Sequence, residues 1–160
     1  MNSFKLQNKY VVGLASWLNE LSLQGAESRE RTRFVNVLIE RIQENEKFRT
    51  DLLEKFVEKD ENGQKKKKVN ELNEEVWDIP EDKLTEYVKE YTDLMEDEYV
   101  MDILDGNKQK LKVMKEAVLN TTYTFGPQEV DSIPEKQAKL RQMNDYDIWC
   151  KAFEAVDFSD

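Results

Sequence analysis

The chain has 160 residues, and 24 Lys and Arg against 34 Asp and Glu give it a formal net charge of −10. It contains no histidine and one cysteine, Cys150, which excludes a Ser-His-Asp triad, a Cys-His pair, a His-rich zinc site and an intrachain disulfide. The negative charge also argues against direct nucleic-acid binding, because phosphate binding relies on Lys and Arg. We expect a single α-rich domain over 1–160 in a reducing compartment, the cytoplasm.

The N-terminal residues predict a short strand followed by a first helix. Polar and apolar side chains alternate over 3–7, which is typical of a strand. Lys5 and Lys9 precede an apolar run over 10–18, as they would in a signal peptide. The apolar residues of this run recur at helical spacing, however, so an amphipathic helix ending near Gly25 is favoured. No run approaches the roughly 20 apolar residues that span a bilayer, and we expect no membrane contact.

Two long amphipathic helices are predicted over 28–58 and 80–98. Ser28 is a candidate N-cap for the former, and Pro80 fits the first turn of the latter. An exposed apolar stripe is unstable in water, so the two helices are expected to pack as an antiparallel pair. The stripe of the first comprises Phe34, Val35, Leu38, Ile39, Ile42, Phe48, Leu52, Leu53 and Phe56.

A β-hairpin tip is predicted between these helices. Asn62-Gly63 is typical of a type I′ turn, because both central positions of that turn need a positive φ. A basic turn of four consecutive lysines follows on a solvated arm. It either contacts phosphates or an acidic partner, or only keeps the turn soluble and unpaired. Its residues are Lys65, Lys66, Lys67 and Lys68.

The C-terminal third, 105–160, is predicted to contain helices that pack on this pair. Residues 99–104 form either a strand or a final helical turn, and Asp105-Gly106-Asn107 is a turn signal before a helix from about Lys108. Residues 121–125 have strand character. A capping box over 132–135, with proline at the first helical position, predicts the start of the last helix.

The negative charge is concentrated between Asp78 and Asp105. This segment holds eleven acidic residues against two lysines, Lys83 and Lys89. Either it is a solvated helix face with tyrosines packed beneath it, or it binds a basic groove of a protein partner, such as a nucleic-acid-binding protein. The candidate partner-binding residues are Glu86, Tyr87, Glu90, Tyr91, Asp93, Glu96 and Asp97.

Motifs that carry chemistry are incomplete. Residues 58–63 align with the first half of a calcium-binding EF-hand loop, but Val69 stands where a bidentate glutamate is needed. The sequence has no phosphate-binding P-loop, no G-x-G-x-x-G and no G-x-S-x-G. Cys150 lies in an apolar stripe beside Trp149 and is interpreted as a core residue. We therefore expect no enzyme activity, no cofactor and no metal.

Residues 4–8, 14–21 and 53–63 carry a resemblance to a known family. Their order of strand, short helix, long helix and Glu-Lys-Asp-Glu-Asn-Gly turn resembles small uncharacterised proteins encoded by phages and prophages of low-GC Gram-positive bacteria. The resemblance implies two long helices joined by a β-hairpin tip, in the manner of a prefoldin subunit. It implies no activity and no site residues.

The functional expectation is a non-enzymatic, phage-type accessory protein that binds another protein in virion or tail assembly, or as a chaperone-like factor. The alternative is an acidic, nucleic-acid-mimicking inhibitor of a host defence nuclease. A small enzyme is a third class, and it is disfavoured by the missing histidine, motifs and metal cluster. A homo-oligomer is left open.

Overall fold

A computed structural model describes residues 2–121 and 133–159. These residues are mainly helical, with five helices and two small antiparallel sheets, which confirms the predicted fold class at that level. In chain order they form strand β1 (Ser3–Gln7), a 3₁₀ turn (Asn8–Tyr10), helix α1 (Val11–Glu20), helix α2 (Gly25–Phe56), strands β2 (Lys67–Val69) and β3 (Glu75–Trp77), helix α3 (Glu81–Glu96), strand β4 (Glu98–Asp102), and helices α4 (Asp105–Leu119) and α5 (Ile133–Glu154).

The chain forms two compact units. The first unit comprises Met1–Arg41 and Glu98–Asp160, and the second unit comprises Ile42–Asp97. Helix α2 contributes residues to both. The single domain over 1–160, with the C-terminal helices packed on the long helices, stays a prediction.

The core of the first unit is built around an aromatic trio. β1 pairs antiparallel with β4, with Phe4 opposite Met101, and both side chains are buried. The ring of Phe4 lies 5.6 Å from that of Phe34 on α2 and 4.8 Å from that of Phe153 on α5. Through these ring contacts the trio joins the strand to both helices. Each fully buried side chain of this size contributes about 1.5–3 kcal/mol to the stability of the fold.

Trp149 of α5 packs tightly against α1. Its indole stacks on Trp17 with a centroid distance of 5.5 Å, and its Nε1 donates a hydrogen bond of 3.1 Å to the carbonyl of Tyr10. A Cβ at Gly13 would lie 2.8 Å from Cζ2 of Trp149. Gly13 is therefore the residue that lets the indole approach the helix backbone, a role that the sequence pattern did not indicate.

The core of the second unit is smaller. Leu52 and Phe56 of α2 pack with Ile79, and Tyr87 and Tyr91 of α3 pack against that cluster. The residues between these helices are held by backbone hydrogen bonds. Among these, the amide of Glu58 donates to the carbonyl of Asp78 at 2.8 Å. The last turns of α2, the start of α3 and the connecting chain thus share one apolar cluster.

The predicted type I′ turn at Asn62-Gly63 is wrong. Gly63 has a φ of 75°, but among the described non-glycine residues a positive φ is found only at Asn73. The carboxylate of Asp60 accepts hydrogen bonds of 2.9 Å from the amides of Asn62 and Gln64, and so organises a wider turn. The hairpin of β2 and β3 lies further along the chain.

That hairpin closes over 70–74. The side-chain oxygen of Asn70 accepts hydrogen bonds from the amides of Leu72 and Glu74, at 3.0 and 2.9 Å. Asn73 takes a φ of 61°, which asparagine tolerates better than most residues. A β-hairpin is therefore present, with asparagine side-chain chemistry in place of the predicted Asn-Gly pair.

Three predicted helix boundaries are also wrong. α1 ends at Glu20, and Gly25 opens α2 with a φ of 59°. Ser28 therefore lies inside α2 and is not its N-cap. Its hydroxyl accepts a hydrogen bond from Arg31. Asp105-Gly106-Asn107 begins α4, because the amide of Asn107 closes a turn onto the carbonyl of Leu104 at 2.7 Å.

Of the two alternatives for 99–104, a strand or a final helical turn, the structure has the strand, which is β4, Glu98–Asp102. Residues 122–125 of the strand predicted over 121–125 lie outside the described residues, as does Ser132 of the predicted capping box.

Candidate protein-binding surface

The acidic residues of α3 are arranged by the helical repeat. Glu86, Glu90 and Asp93 are spaced by four and three residues within one continuous helix, which places them on one face. We call these three residues the acidic stripe. Glu96 lies at the flank of that face, and Asp97 follows directly after the helix. The helical repeat of α3 therefore places the three carboxylates of the stripe side by side.

Two members of the acidic stripe are paired with lysines. The Nζ atom of Lys55 on α2 lies 2.9 Å from a carboxylate oxygen of Glu90. Asp93 pairs with Lys89 one turn before it, at 3.1 Å. The hydrogen bond to Glu90 is the main cause that raises the pKa of Lys55. Because both pairs are exposed to solvent, which screens their charges, each contributes little to stability.

A groove lies beside the Lys55–Glu90 pair. We call it the acidic groove. It has a volume of about 460 Å³, and both carboxylates and apolar side chains line it. Phe48, half of whose surface is exposed (50%), lies in the groove, whereas Leu52 in the same helix stripe is 9% exposed. The lining residues are Phe48, Asp51, Leu52, Lys55, Glu90, Leu94 and Asp97.

The acidic groove combines three carboxylates with a single ammonium group, around exposed aromatic and aliphatic carbon. This arrangement suits a partner side chain that carries both an apolar stem and a positive charge, such as Lys or Arg. Phe48 and Asp51 were not among the predicted site residues. Periodicity placed Phe48 in the core stripe, and it gives no measure of which stripe residues remain uncovered.

The two predicted tyrosines lie at a different place from the acidic groove. Tyr87 and Tyr91 are half-buried and stack with a centroid distance of 6.3 Å. Tyr87 also meets Phe56 edge-on at 6.0 Å. Burial is the main cause that raises the pKa of Tyr87. Both rings line a second cavity of about 350 Å³.

This second cavity, the aromatic cleft, brings the tyrosines together with Trp77 and two cations. Its lining residues are Arg49, Thr50, Leu53, Lys65, Trp77, Tyr87 and Tyr91. Two lysines of the predicted basic turn have different contacts here. Lys65 lines the cleft, whereas Lys67 lies over the ring of Trp77, with its Nζ 4.9 Å from the centroid.

The other lysines of the basic turn are exposed. The Nζ atom of Lys68 lies 3.6 Å from a carboxylate oxygen of Asp78, and Lys66 is also exposed. The backbone amide of Lys66 donates to the carbonyl of Glu58 at 2.9 Å, and its carbonyl accepts from the amide of Asp78. The four lysines thus differ in their contacts, and the basic turn as a binding site stays a prediction.

The calcium-loop alignment over 58–63 corresponds to a structured turn. The carboxylate of Asp60 is engaged by two backbone amides. Within the described part of the chain, no cluster of three or more His, Cys, Asp and Glu side chains is arranged to hold a metal ion.

Cys150 is half-buried on α5, next to Tyr146. Burial raises the pKa of the thiol, and it raises the pKa of Tyr146 to about 12. Since the thiolate is the reactive form of cysteine, a raised pKa makes Cys150 a weak nucleophile at neutral pH.

Comparison with protein-family models, curated proteins and solved structures found no match to this chain. None of the helices within residues 2–121 and 133–159 combines the length and apolar character needed to cross a bilayer.

Proposed function

We propose that the chain is a non-enzymatic accessory protein that binds a basic segment of another protein through the acidic groove. The observation that carries this proposal is the half-exposed Phe48, which lines the same groove as the carboxylates of Asp51 and Asp97. An exposed aromatic ring offers the apolar anchor on which protein interfaces depend, and the surrounding charge selects a cationic partner.

The volume of the groove supports one anchoring side chain from the partner. At about 460 Å³ it is too small for a folded element but large enough for a Lys or Arg and its neighbours. The incoming cation competes with Lys55 for Glu90. Because an exposed ion pair contributes little, that exchange costs little free energy.

The proposal includes the finer architecture of the second unit. We propose that the end of α2 and α3 form an antiparallel helical hairpin with β2 and β3 at its tip, as in a prefoldin subunit. The contacts Lys55–Glu90 and Phe56–Tyr87 support an antiparallel arrangement, since residues later in α2 meet residues earlier in α3. This architecture agrees with the resemblance to small phage-encoded proteins, and we propose that the chain acts in the host cytoplasm.

A second candidate function is supported by the charge of the segment from Asp78 to Asp105. Eleven acidic residues against two lysines could imitate a nucleic-acid backbone and so block a nuclease of host defence. The two functions differ in one observable. A mimic competes with nucleic acid for the partner, whereas an assembly factor does not.

The experiment is affinity capture from a lysate of the cells that encode the chain. Wild type is compared with a variant that reverses the acidic stripe, E86K/E90K/D93K. A control, E20K/E40K/E61K, makes the same charge change at three exposed glutamates elsewhere. We expect one protein to be retained by wild type and by the control, and to be lost by the stripe variant. Loss by both variants would reduce the interaction to net charge and contradict the proposal.

The captured protein is then challenged with duplex and single-stranded DNA. Displacement from the chain by either nucleic acid favours the mimic, and retention favours the assembly factor. Circular dichroism of all three proteins establishes that the charge reversals leave the helical content unchanged.

A further inference from the structure

The aromatic cleft places two cations next to three aromatic rings. Arg49 projects from α2 and Lys65 from the chain that follows it, while Trp77 and the two tyrosines supply the rings. In a chain with a net charge of −10, a cavity lined by two cations and no carboxylate is distinctive. The charged residues that line the cleft are therefore opposite in sign to most of those that line the acidic groove of the same unit.

Both cations of the cleft are held by exposed acids that an incoming anion can replace. Arg49 lies 3.4 Å from Glu46, and both side chains are more than half exposed. Lys65 lies 3.2 Å from Glu54, which also pairs with Lys59. One carboxylate thus serves two lysines, which leaves positive charge at this edge of the cleft. Exposed pairs of this kind contribute little free energy, so a better-placed anion displaces them.

The rings provide flat apolar surface. Tyr87 and Tyr91 are nearly parallel, with an angle of 18° between their planes, and Trp77 is 40% exposed. Surfaces of this kind stack planar rings, whatever the identity of the ring. The hydroxyl of Tyr87 is protonated at neutral pH, as in any tyrosine, and burial raises its pKa further, so it can donate a hydrogen bond to an anion.

We propose that the aromatic cleft binds a small planar aromatic anion. Its ring stacks on Trp77 and the tyrosines, and its phosphate or carboxylate lies on Arg49 and Lys65. The volume of about 350 Å³ is at the lower end of ligand pockets, which suits one ring with its anionic group. Arginine binds both phosphate and carboxylate through paired N–H donors, so mononucleotides and aryl carboxylates share the required chemistry. This binding is independent of the acidic groove.

The test is isothermal titration of the full chain with four probes: AMP, adenosine, inorganic phosphate and 2-naphthoate. We expect AMP or naphthoate to bind at least tenfold tighter than adenosine and phosphate. Tighter binding of AMP assigns the cleft to phosphate-bearing ligands, and tighter binding of naphthoate assigns it to carboxylates. If neither AMP nor naphthoate binds tighter than adenosine and phosphate, or if no probe binds at millimolar concentration, the proposal is overturned.

Matched variants locate the binding. R49M/K65M should weaken binding of the better probe at least tenfold. K47M/K83M removes two exposed lysines of the same unit that do not line the cleft, and should leave the affinity within twofold. Trp77→Leu changes a partly exposed ring and gives a second, independent variant, also expected to weaken binding. Equal losses in K47M/K83M would show attraction to bulk charge and overturn the assignment.

Discussion

The ammonium group of Lys55 lies 2.9 Å from the carboxylate of Glu90, and this ion pair links the last turn of α2 to α3. The hydrogen bond raises the pKa of Lys55, with the charge of Glu86 adding a smaller contribution. Two of the three acids of the acidic stripe already pair with a lysine of the same chain, and the pair with Lys55 lines the acidic groove. Partner binding at the acidic groove is consequently an exchange of one cation for another.

Removal of Lys55 should strengthen partner binding. Lys55→Met leaves Glu90 available to the partner and should raise the affinity up to about fivefold. Glu90→Gln should lower it by a similar factor. Titration of the captured partner measures both effects. Lys83→Met makes the same charge change at the start of α3, outside the groove. A rise as large as that of Lys55→Met would refute the exchange.

Leu38 and Ile39 provide a matched pair for the core of the first unit. Leu38 is 0% exposed and Ile39 is 38% exposed, although both belong to the predicted apolar stripe. Leu38→Asp buries an unpaired charge and should remove most of the stability of a domain whose total is about 5–15 kcal/mol. Ile39→Asp should lower the free energy of unfolding by no more than about 1 kcal/mol. Urea unfolding measures the free energy of unfolding of both variants. Equal losses of stability would contradict the burial of Leu38 and the exposure of Ile39.

Gly13 should not tolerate a side chain. Gly13→Ala brings a Cβ to 2.8 Å from the ring of Trp149, so the indole must shift, at a cost of about 1–3 kcal/mol. Gly106→Ala is the control, because no atom lies within 4 Å of the added Cβ, and alanine favours the helix. Thermal melts and tryptophan fluorescence report the difference. A Gly13→Ala variant as stable as wild type would show that the indole is not held against α1.

Glu54 should titrate below its ordinary pKa. Hydrogen bonds from Lys59, and then from Lys65, lower the pKa of this carboxyl from 4.5. A depressed pKa means that the pairing stabilises the fold above pH 4.5 and that this contribution is lost as the pH falls through the lower, folded value. NMR titration of the side-chain carbonyl should show the low midpoint in wild type and a higher one in Lys65→Met. An unchanged midpoint in that variant would show that Lys65 does not lower the pKa of Glu54.

The sequence predicted elements where one periodic pattern dominates. Alternation identified β1 at Ser3–Gln7, and three- and four-residue spacing identified the helices, because both patterns arise from backbone geometry. The turn at 60–64 was predicted, but its type was wrong because a side chain organises it. A carboxylate that accepts two backbone amides changes the turn without changing the Asn-Gly pair.

The candidate site was predictable only along the helix. Spacing alone placed the acidic stripe on one face of α3, but it could not identify Lys55 on another helix as the partner of Glu90. Nor could it separate Lys65, which lines the aromatic cleft, from the lysines that follow it. Contacts between elements depend on how the chain packs, and neither charge counting nor periodicity contains that information.

Photo-crosslinking from position 48 tests the central claim most directly. A benzoylphenylalanine replaces Phe48 in the acidic groove, and a control carries it at Val12, which is exposed in the first unit. Irradiation in the cell lysate should yield a crosslinked protein from position 48 only. The yield should fall as the Debye length shrinks from about 10 Å at 0.1 M salt to about 3 Å at 1 M. It should also disappear in the E86K/E90K/D93K background. Equal products from positions 48 and 12, or a yield that the charge reversal leaves unchanged, would contradict binding through the acidic groove.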